Sequence, residues 1–528
     1  MVVPELRAWR AARPRLARVA RAARPHLVRA AQSVKPWVTR LTQAARPRIA
    51  RPKTWQYTAG AATAGLALAA GVVTAAGPWD SSGQRTAERD WAAVQERGGG
   101  IDHGRKSDTS DTSAEEPRPA PSAATVLVGL GSAGNHVKSA PTGPALADVL
   151  GPLLMDPALG TRHSAAVVDV ATGRRLYGHA ADDALTPAST TKIATAVAAL
   201  SALGADHRLT TRAALEPDTG ELVLVGGGDP TLTARKDAQG WASLRTLADD
   251  TAAALTKRGV NKVTLSYDTT LYAGPELHPI GVNDNLAPVS ALMADEARTD
   301  DSTSGPATRA TDPAADAART FARFLGDHGI KTTSPGPSKA TNRAETLATV
   351  SSPPLSTLVE RMLTNSDNDI AEALARQTAA ASGARADFAG GAAAIAGRLQ
   401  KLQLPLRGAA FHDGSGLNRD DRLTADLLTA LLTKAADPTH PELRPVLTGL
   451  PVAGFTGTLT SRYTDGAAGL VRAKTGTLTG VNALAGTVVD QDGRLLAFAF
   501  LTENTTSTEA AQAALDRTAT ALAACGCR

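Results

Sequence analysis

No charged side chain stands between Thr54 and Trp79. The apolar heart of this stretch, YTAGAATAGLALAAGVVTAAG, runs from Tyr57 to Gly77. At a helical rise of about 1.5 Å per residue it reaches roughly 31 Å, the thickness of one bilayer core. Such a run must end up in lipid, be buried in protein, or be removed, so it divides the chain before any folding is considered. What precedes it is basic: residues 1–56 hold 14 Lys or Arg and a single acidic residue, Glu5. The remainder holds 42 basic and 50 acidic residues, so the overall charge of +5 hides a basic arm on a mildly acidic body. Arg-rich flank before, Asp80 after, and Trp55, Tyr57 and Trp79 at the two ends satisfy the positive-inside rule and the aromatic belt. The expectation is a membrane signal-anchor at 57–77, a cytoplasmic N-terminus (1–56) and an extracellular body. Two other readings fit the same residues: a long signal peptide cut near Val73-Thr74-Ala75, or a buried Ala-rich helix. Attraction to anionic lipid accounts for the arm, and no nucleic-acid partner is expected.

Residues 78–140 carry Gly98-Gly99-Gly100 and SDTSDTSAEEPRPAPS with few large apolar groups, and read as a flexible tether. Globular patterning is clear from Pro144. Aromatics are 3% of the chain, so its core must rest on Ala, Val and Leu. The body begins with a short helix (146–154) and a hairpin with a Gly turn (164–180). A helix follows from Thr186-Pro187 to Gly204. Shorter elements fill 205–345, including strands at 221–225 and 261–267, helices near 240–258 and 312–328, and the loop GGGDP (226–230). Helices recur over 354–435, followed by strands LVRAKT, NALAGTVVD and RLLAFAFLT, then a helix over 507–524. A hairpin early and strands late predict one sheet built from both ends of the domain (141–204 and 346–528), with 205–345 inserted. No internal repeat is visible.

Three polar triplets occur in order. PASTTK places Ser189 and Lys192 at i and i+3, on one helix face. Thr186 is the expected N-cap, bonding the Ala188 N–H and putting Ser189 in the first turn, where its N–H lacks an intrahelical partner. Alone this is weak, since one S-x-x-K is expected by chance. LTNSDNDIAEAL holds Ser366 and Asn368, which a helix cap would explain equally well. LVRAKTGTLTG places Lys474 at the end of an apolar strand, with Thr475, Gly476 and Thr477 after it. An edge strand of this kind can pair with an extended ligand.

Together the three resemble the S-x-x-K, S-x-N and K-T-G set of penicillin-binding proteins and serine β-lactamases. VGGGDPTL (225–232), APVSALMADEARTD (287–300), FHDGSGLNRD (411–420) and AKTGTLTGVNALAG (473–486) narrow the resemblance. They are similar to the D-alanyl-D-alanine carboxypeptidase/endopeptidase family, penicillin-binding protein 4 (peptidase family S13), over about residues 140–524. The resemblance implies an α/β (α+β) penicillin-binding/β-lactamase-like transpeptidase fold: an antiparallel sheet flanked by helices, with a helical subdomain and an inserted domain. That family carries extra domains between its first two motifs. Here the insert looks short enough for one.

The resemblance also implies roles. Ser189 is the nucleophile toward the bond between two D-alanines of a peptidoglycan stem peptide, giving an acyl-enzyme. Lys192 is the base, which needs its pKa lowered by about three units, or about 4 kcal/mol, to be mostly neutral at pH 7. Burial, the helix end and Lys474 as a like charge could supply this. Ser366 relays a proton, Asn368 holds the substrate amide, and Lys474, Thr475 and Thr477 bind the terminal carboxylate, with Gly476 allowing close approach. The backbone N–H groups of Ser189 and Thr477 form the oxyanion hole. β-Lactams are the expected inhibitors. Leu417 and Arg419 are candidates for lining the pocket, with Arg419 facing a stem-peptide carboxylate; a tight Gly turn with a surface Arg reads these residues equally well.

A β-lactamase would need a deacylating Glu after the second motif, and only Glu372 and Glu442 lie between Asn368 and Lys474, neither in the expected setting. A catalytically silent peptidoglycan-binding or β-lactam-sensing module is the alternative outside catalysis. The chain has no G-x-S-x-G and no H-E-x-x-H, and GLGSAG (129–134) is followed by Asn135, not Lys, so no cofactor and no metal is expected. Cys525 and Cys527 exclude a disulfide scaffold; whether they form a ring, cross-link chains or stay reduced is open.

Overall fold

The early hairpin and the late strands do share one antiparallel sheet. In the computed structural model, which describes residues 141–463 and 466–526, helix α1 (Gly143–Leu154) is followed by β1 (Arg162–Asp169) and β2 (Arg175–His179). The first motif opens α2 (Thr191–Leu203). The middle of the chain supplies β3 (Thr210–Leu215), β4 (Glu221–Val225), α3 (Leu244–Lys257), β5 (Lys262–Asp268), α4 (Pro313–Asp327), β6 (Lys331–Thr332), β7 (Gly336–Pro337) and β8 (Glu345–Ser351). Then come α5 (Leu355–Asn365), α6 (Asn368–Ala381), α7 (Phe388–Lys401), α8 (Ala425–Ala436), β9 (Val471–Leu478), β10 (Val481–Val489), β11 (Leu495–Glu503) and α9 (Thr508–Ala523). The described residues all fall within one compact unit.

The first sheet has the order β2-β1-β11-β10-β9, so the N-terminal hairpin joins the C-terminal meander through β1 and β11. Period-2 alternation sorts its side chains. Ala166, Val168, Ala483, Ala485, Ala497 and Ala499 face the helical core made with α2, α5, α6, α7 and α8. Ala165, Val167, Leu484, Val488, Phe498 and Phe500 face the opposite way, against α1 and α9. Alanine on the inner face is the consequence of few aromatics: small side chains let α2 lie close to the sheet, and α2 is buried all round from Thr191 to Leu200.

The second sheet, β6-β5-β4-β3-β8, packs α3 and α4 around its own core. It extends to Ser351, because β8 pairs antiparallel with β3. Its helices start where the sequence places caps: Ser243 accepts from the Thr246 N–H and Asp312 from the Ala315 N–H. The basic arm, the 57–77 segment and the tether lie outside the described residues, among which no helix is long and apolar enough to cross a membrane. Cys525 is buried and disulfide-bonded; Cys527 lies outside the described residues.

Candidate active site

Ser189 does not sit in the first turn of an α-helix behind a Thr186 cap. It sits in a 3-10 turn, Ala188–Thr190, that precedes α2 and has no side-chain cap. Thr186 is held otherwise: its N–H donates to Glu503 Oε1 at 2.8 Å, and its hydroxyl accepts from Arg422 Nη1 at 3.0 Å. Ala188 takes a positive φ of 48° to make the turn, a conformation a non-glycine residue adopts only under constraint. The constraint is visible at Gly416 (φ 80°), where an added Cβ would stand 1.9 Å from the Ala188 carbonyl oxygen. Gly476 presses from the other side, with a Cβ position 2.6 Å from the Pro187 oxygen.

Lys192, one turn into the chain beyond Ser189, is fully buried, and its Nζ has three partners. Ser189 Oγ is at 2.9 Å, Asn368 Oδ1 at 2.6 Å and the Ser415 carbonyl at 2.7 Å. Two of these can only accept. A neutral amine has two protons and one lone pair, so two N–H groups to the two carbonyls leave the lone pair for the Ser189 hydroxyl. Burial lowers Lys192 to about 8, against the pull of the Asp413, Glu372, Asp367 and Asp369 carboxylates. The like-charge effect appears on Lys474, which burial, then Lys192, push well below the ordinary lysine range.

Lys474 lies within β9, not at its end, and β9 is the edge strand. Its Nζ donates to Ser366 Oγ at 2.9 Å and to the Thr475 carbonyl at 2.8 Å. Ser366 closes α5 in the left-handed region (φ 59°), so its hydroxyl turns toward β9, while Asp367 caps α6 by accepting from the Ile370 N–H. Asn368 then opens α6, and its Nδ2 donates to the Asn285 carbonyl at 2.9 Å. Thr475 and Thr477 meet Thr458 (3.0 Å) and Gln512 (3.3 Å) through their hydroxyls.

Ser189, Ser366, Asn368, Leu417, Thr475 and Thr477 line one cleft of about 450 Å³. A larger groove of about 720 Å³, between β1, the segment after it and α8, contains none of them. Arg419 is exposed, lies outside the cleft lining and donates to the Thr479 carbonyl at 2.9 Å, across the β9–β10 turn. Glu372 and Glu442 do not line the cleft; Glu442 pairs with His440 at 3.0 Å.

Sequence reasoning missed the wall supplied by the 284–310 segment, including Asn285, Arg298 and Arg309. Paired buried charges tie this wall to the Ser366 turn: Arg309 to Asp369 (2.8 Å), Arg298 to Glu296 (2.8 Å), and Arg361 to both Glu296 and Asp367. It read a tight Gly turn at 413–417 but missed that the Ser415 carbonyl accepts from Lys192. The string Asp413-Gly414-Ser415-Gly416 was the available signal, but nothing in it reveals that a backbone carbonyl points at a lysine.

Comparison with known proteins places the chain among its relatives. A carboxypeptidase of Mycobacterium tuberculosis is 37% identical over 428 residues, covering 78% of this chain and 90% of the relative. A D-alanyl-D-alanine carboxypeptidase of Actinomadura sp. is 32% identical over 450 residues, covering 67% and 82%. In fold, the chain is similar to penicillin binding protein 4 of Haemophilus influenzae, with a TM-score of 0.58 at 22% identity, covering 71% of this chain and 97% of that one. That protein has also been solved with a β-lactam (TM-score 0.57). The sequence profile of the D-Ala-D-Ala carboxypeptidase 3 (S13) family matches residues 146–307 and 299–524, and with those relatives it shows that this chain belongs to that family.

Proposed function

We propose that this protein is a serine-type D-Ala-D-Ala carboxypeptidase, and a D,D-endopeptidase, that works on peptidoglycan stem peptides through an acyl-enzyme and is acylated by β-lactams. The observation that carries the reading is the three-partner geometry of Lys192, which aims one lone pair at the Ser189 hydroxyl. Ser189 Oγ attacks the carbonyl carbon of the penultimate D-Ala as its proton passes to Lys192 Nζ. The oxyanion is received by the N–H groups of Ser189 and Thr477, each worth about 3 kcal/mol to the transition state. Ser366, bonded to Lys474, passes its proton to the departing amine and takes back the one that Lys192 removed from Ser189, which leaves Lys192 neutral again. Water then cleaves the ester, with Lys192 again as base.

Lys474, Thr475 and Thr477 bind the terminal carboxylate. Burial, then Lys192, disfavour the charged form of Lys474, and an arriving carboxylate favours it. Asn368 orients the peptide amide, Gly476 keeps β9 close to the nucleophile's turn, and Leu417 forms an apolar wall. Arg419 is assigned to the β9–β10 turn, not to substrate. Intact mass after incubation with benzylpenicillin, together with D-alanine release from a peptide ending in D-Ala-D-Ala, tests the reading. One persistent adduct and release of D-alanine are expected. Rapid loss of the adduct with turnover would favour a β-lactamase, and no adduct on a folded protein would favour a silent binding module.

The charge asymmetry around 57–77 supports a single-pass anchor in the cell membrane, with 1–56 cytoplasmic and the catalytic domain, 141–204 and 346–528 with its 205–345 insert, outside. The full chain should pellet with membranes after an alkaline carbonate wash, and a chain starting at Ala124 should not. Release of the full chain by the wash would remove the anchor.

A further inference from the structure

Beneath Lys192 lies a buried acidic layer that the acylation chemistry leaves unassigned. The turn 413–418 is wound around Asp413. Its Oδ1 accepts from the Gly416 N–H (2.6 Å), and its Oδ2 from the Asn418 N–H (2.7 Å), the Ser415 hydroxyl (3.3 Å) and His278 Nε2 (3.0 Å). His278 Nδ1 accepts from the Ile280 N–H at 3.2 Å, so the proton of this ring is on Nε2 and the imidazole is neutral. From the other side, Glu372 accepts from the Gly414 N–H (3.1 Å) and the Ser415 N–H (2.8 Å). Asn368 and Glu372 are i and i+4 on α6, hence on one face. One helix stripe thus bears on both obligate acceptors of Lys192: Asn368 supplies Oδ1 directly, and Glu372 holds the amide of Ser415, whose carbonyl lies in the next peptide, where Asp413 holds the Gly416 amide.

The charges around Lys192 are not equivalent. Asp367 faces Arg361 at 3.5 Å and Asp369 is paired with Arg309 at 2.8 Å. Asp413 is held ionised by His278 and two backbone amides, and Asp421 beside it is driven toward the neutral acid by burial and then by Asp413. Glu372 is 1% exposed and, among the described residues, has no cation within salt-bridge distance. Arg376, one turn further along α6, donates to the Ala273 and Pro275 carbonyls and lies over the Phe388 ring. Lys474 faces Lys192 from β9 as a like charge.

We propose that Glu372 is a positioning residue for acylation: its carboxylate anchors the Gly414 and Ser415 amides and so fixes Ser415, whose carbonyl, in the next peptide, takes one Lys192 proton, and its uncompensated charge sets the pH at which Lys192 becomes a base. The proposal rests on the acyl-enzyme reading above. Burial, with Asp413 next, raises Glu372 to about 7, so it is ionised where Lys192 (about 8) titrates. An ionised neighbour favours the protonated lysine, so removing the charge lets Lys192 lose its proton at lower pH.

The test is the pH dependence of the benzylpenicillin acylation rate for the parent, Glu372→Gln and Glu372→Asp. Glu372→Gln keeps an oxygen for both amides and loses the charge. Its acid limb is expected roughly half a pH unit below that of the parent, giving up to about twofold faster acylation between about pH 7 and 8, where the parent's Glu372 is ionised and Lys192 is still largely protonated, and equal rates above about pH 9. Glu372→Asp keeps the charge and shortens the reach, so its limb should stay in place while the plateau falls. A Glu372→Gln plateau that drops at every pH with an unmoved limb would overturn the proposal, leaving Glu372 a prop for the turn. If Glu372→Gln fails to melt cooperatively, Glu372→Asp decides, because a limb displaced downward despite the retained charge would also overturn it. A parent that takes no adduct at any pH sinks the acyl-enzyme reading itself; an adduct with unmoved limbs sinks only the role of Glu372.

Discussion

Ser189→Ala is expected to leave a folded protein that takes no benzylpenicillin adduct and releases no D-alanine. The loss should be at least about 10⁴-fold, because removing a nucleophile removes the covalent route entirely. The fold should tolerate the change. Ser189 is only partly buried and its hydroxyl is one of three partners of Lys192, so the lost hydrogen bond costs about 1 kcal/mol. The Ala188–Thr190 turn does not depend on that hydroxyl, since Thr190 ties it by donating to the Pro187 carbonyl at 2.7 Å. Intact mass and a thermal melt on the same sample separate the two effects. An adduct on a folded Ser189→Ala protein would move the nucleophile elsewhere, and Ser366 would be next to examine.

Gly416→Ala should also lower acylation, by a smaller factor and by a route that removes no catalytic side chain. Its added methyl would stand 1.9 Å from the Ala188 oxygen and 2.9 Å from Thr191 Oγ1, on a backbone at φ 80°. The Ala188 carbonyl must retreat by more than 1 Å, and Ser189 is the next residue. Displacing a nucleophile by about 1 Å costs on the order of 100-fold in rate. Positive φ and the collision together should also lower stability by about 3 kcal/mol. Acylation rate and melting temperature measured together check both. A variant with parental acylation would show that the Asp413–Asn418 turn does not brace the nucleophile.

The three motifs were legible because each is a short run whose residue types declare their chemistry. Their spacing along the chain also agreed with a sheet assembled from both ends. What the sequence could not show was which groups touch across the fold. Thr186-Pro187 looks like a helix start because local rules favour it, but Glu503, far along the chain, claims the Thr186 N–H and the turn tightens to 3-10 geometry. Lys474 is placed at a strand end because the apolar run LVRAKT stops there, and Gly476 is read as a point of close backbone approach. Pairing with β10 carries the strand on to Leu478, as β10 supplies partners for every residue from Val471. Glu372 read as one more helical carboxylate. Only the i, i+4 relation to Asn368 hinted at a shared face, and no pattern in the chain announces that the Gly414 and Ser415 amides would close over it. For Arg419 the resemblance offered a substrate contact and the Gly turn offered a surface Arg; its exposed guanidinium donates to the Thr479 carbonyl.

The strand order has a consequence for how the protein comes into being. β1 is clasped between β2 and β11, and Arg162 at its start reaches Glu503 at the end of β11. The same Glu503 holds the residue three places before the nucleophile. The seryl turn is therefore synthesised early, and one of its supports, the Glu503 carboxylate, arrives only with the last strand. The Thr186–Glu503 contact joins residues 317 apart, and contacts of that range are slow to form. A chain clipped before β11 is thus expected to lose this anchor beside the nucleophile, and a slower acylation of Ser189 would show it.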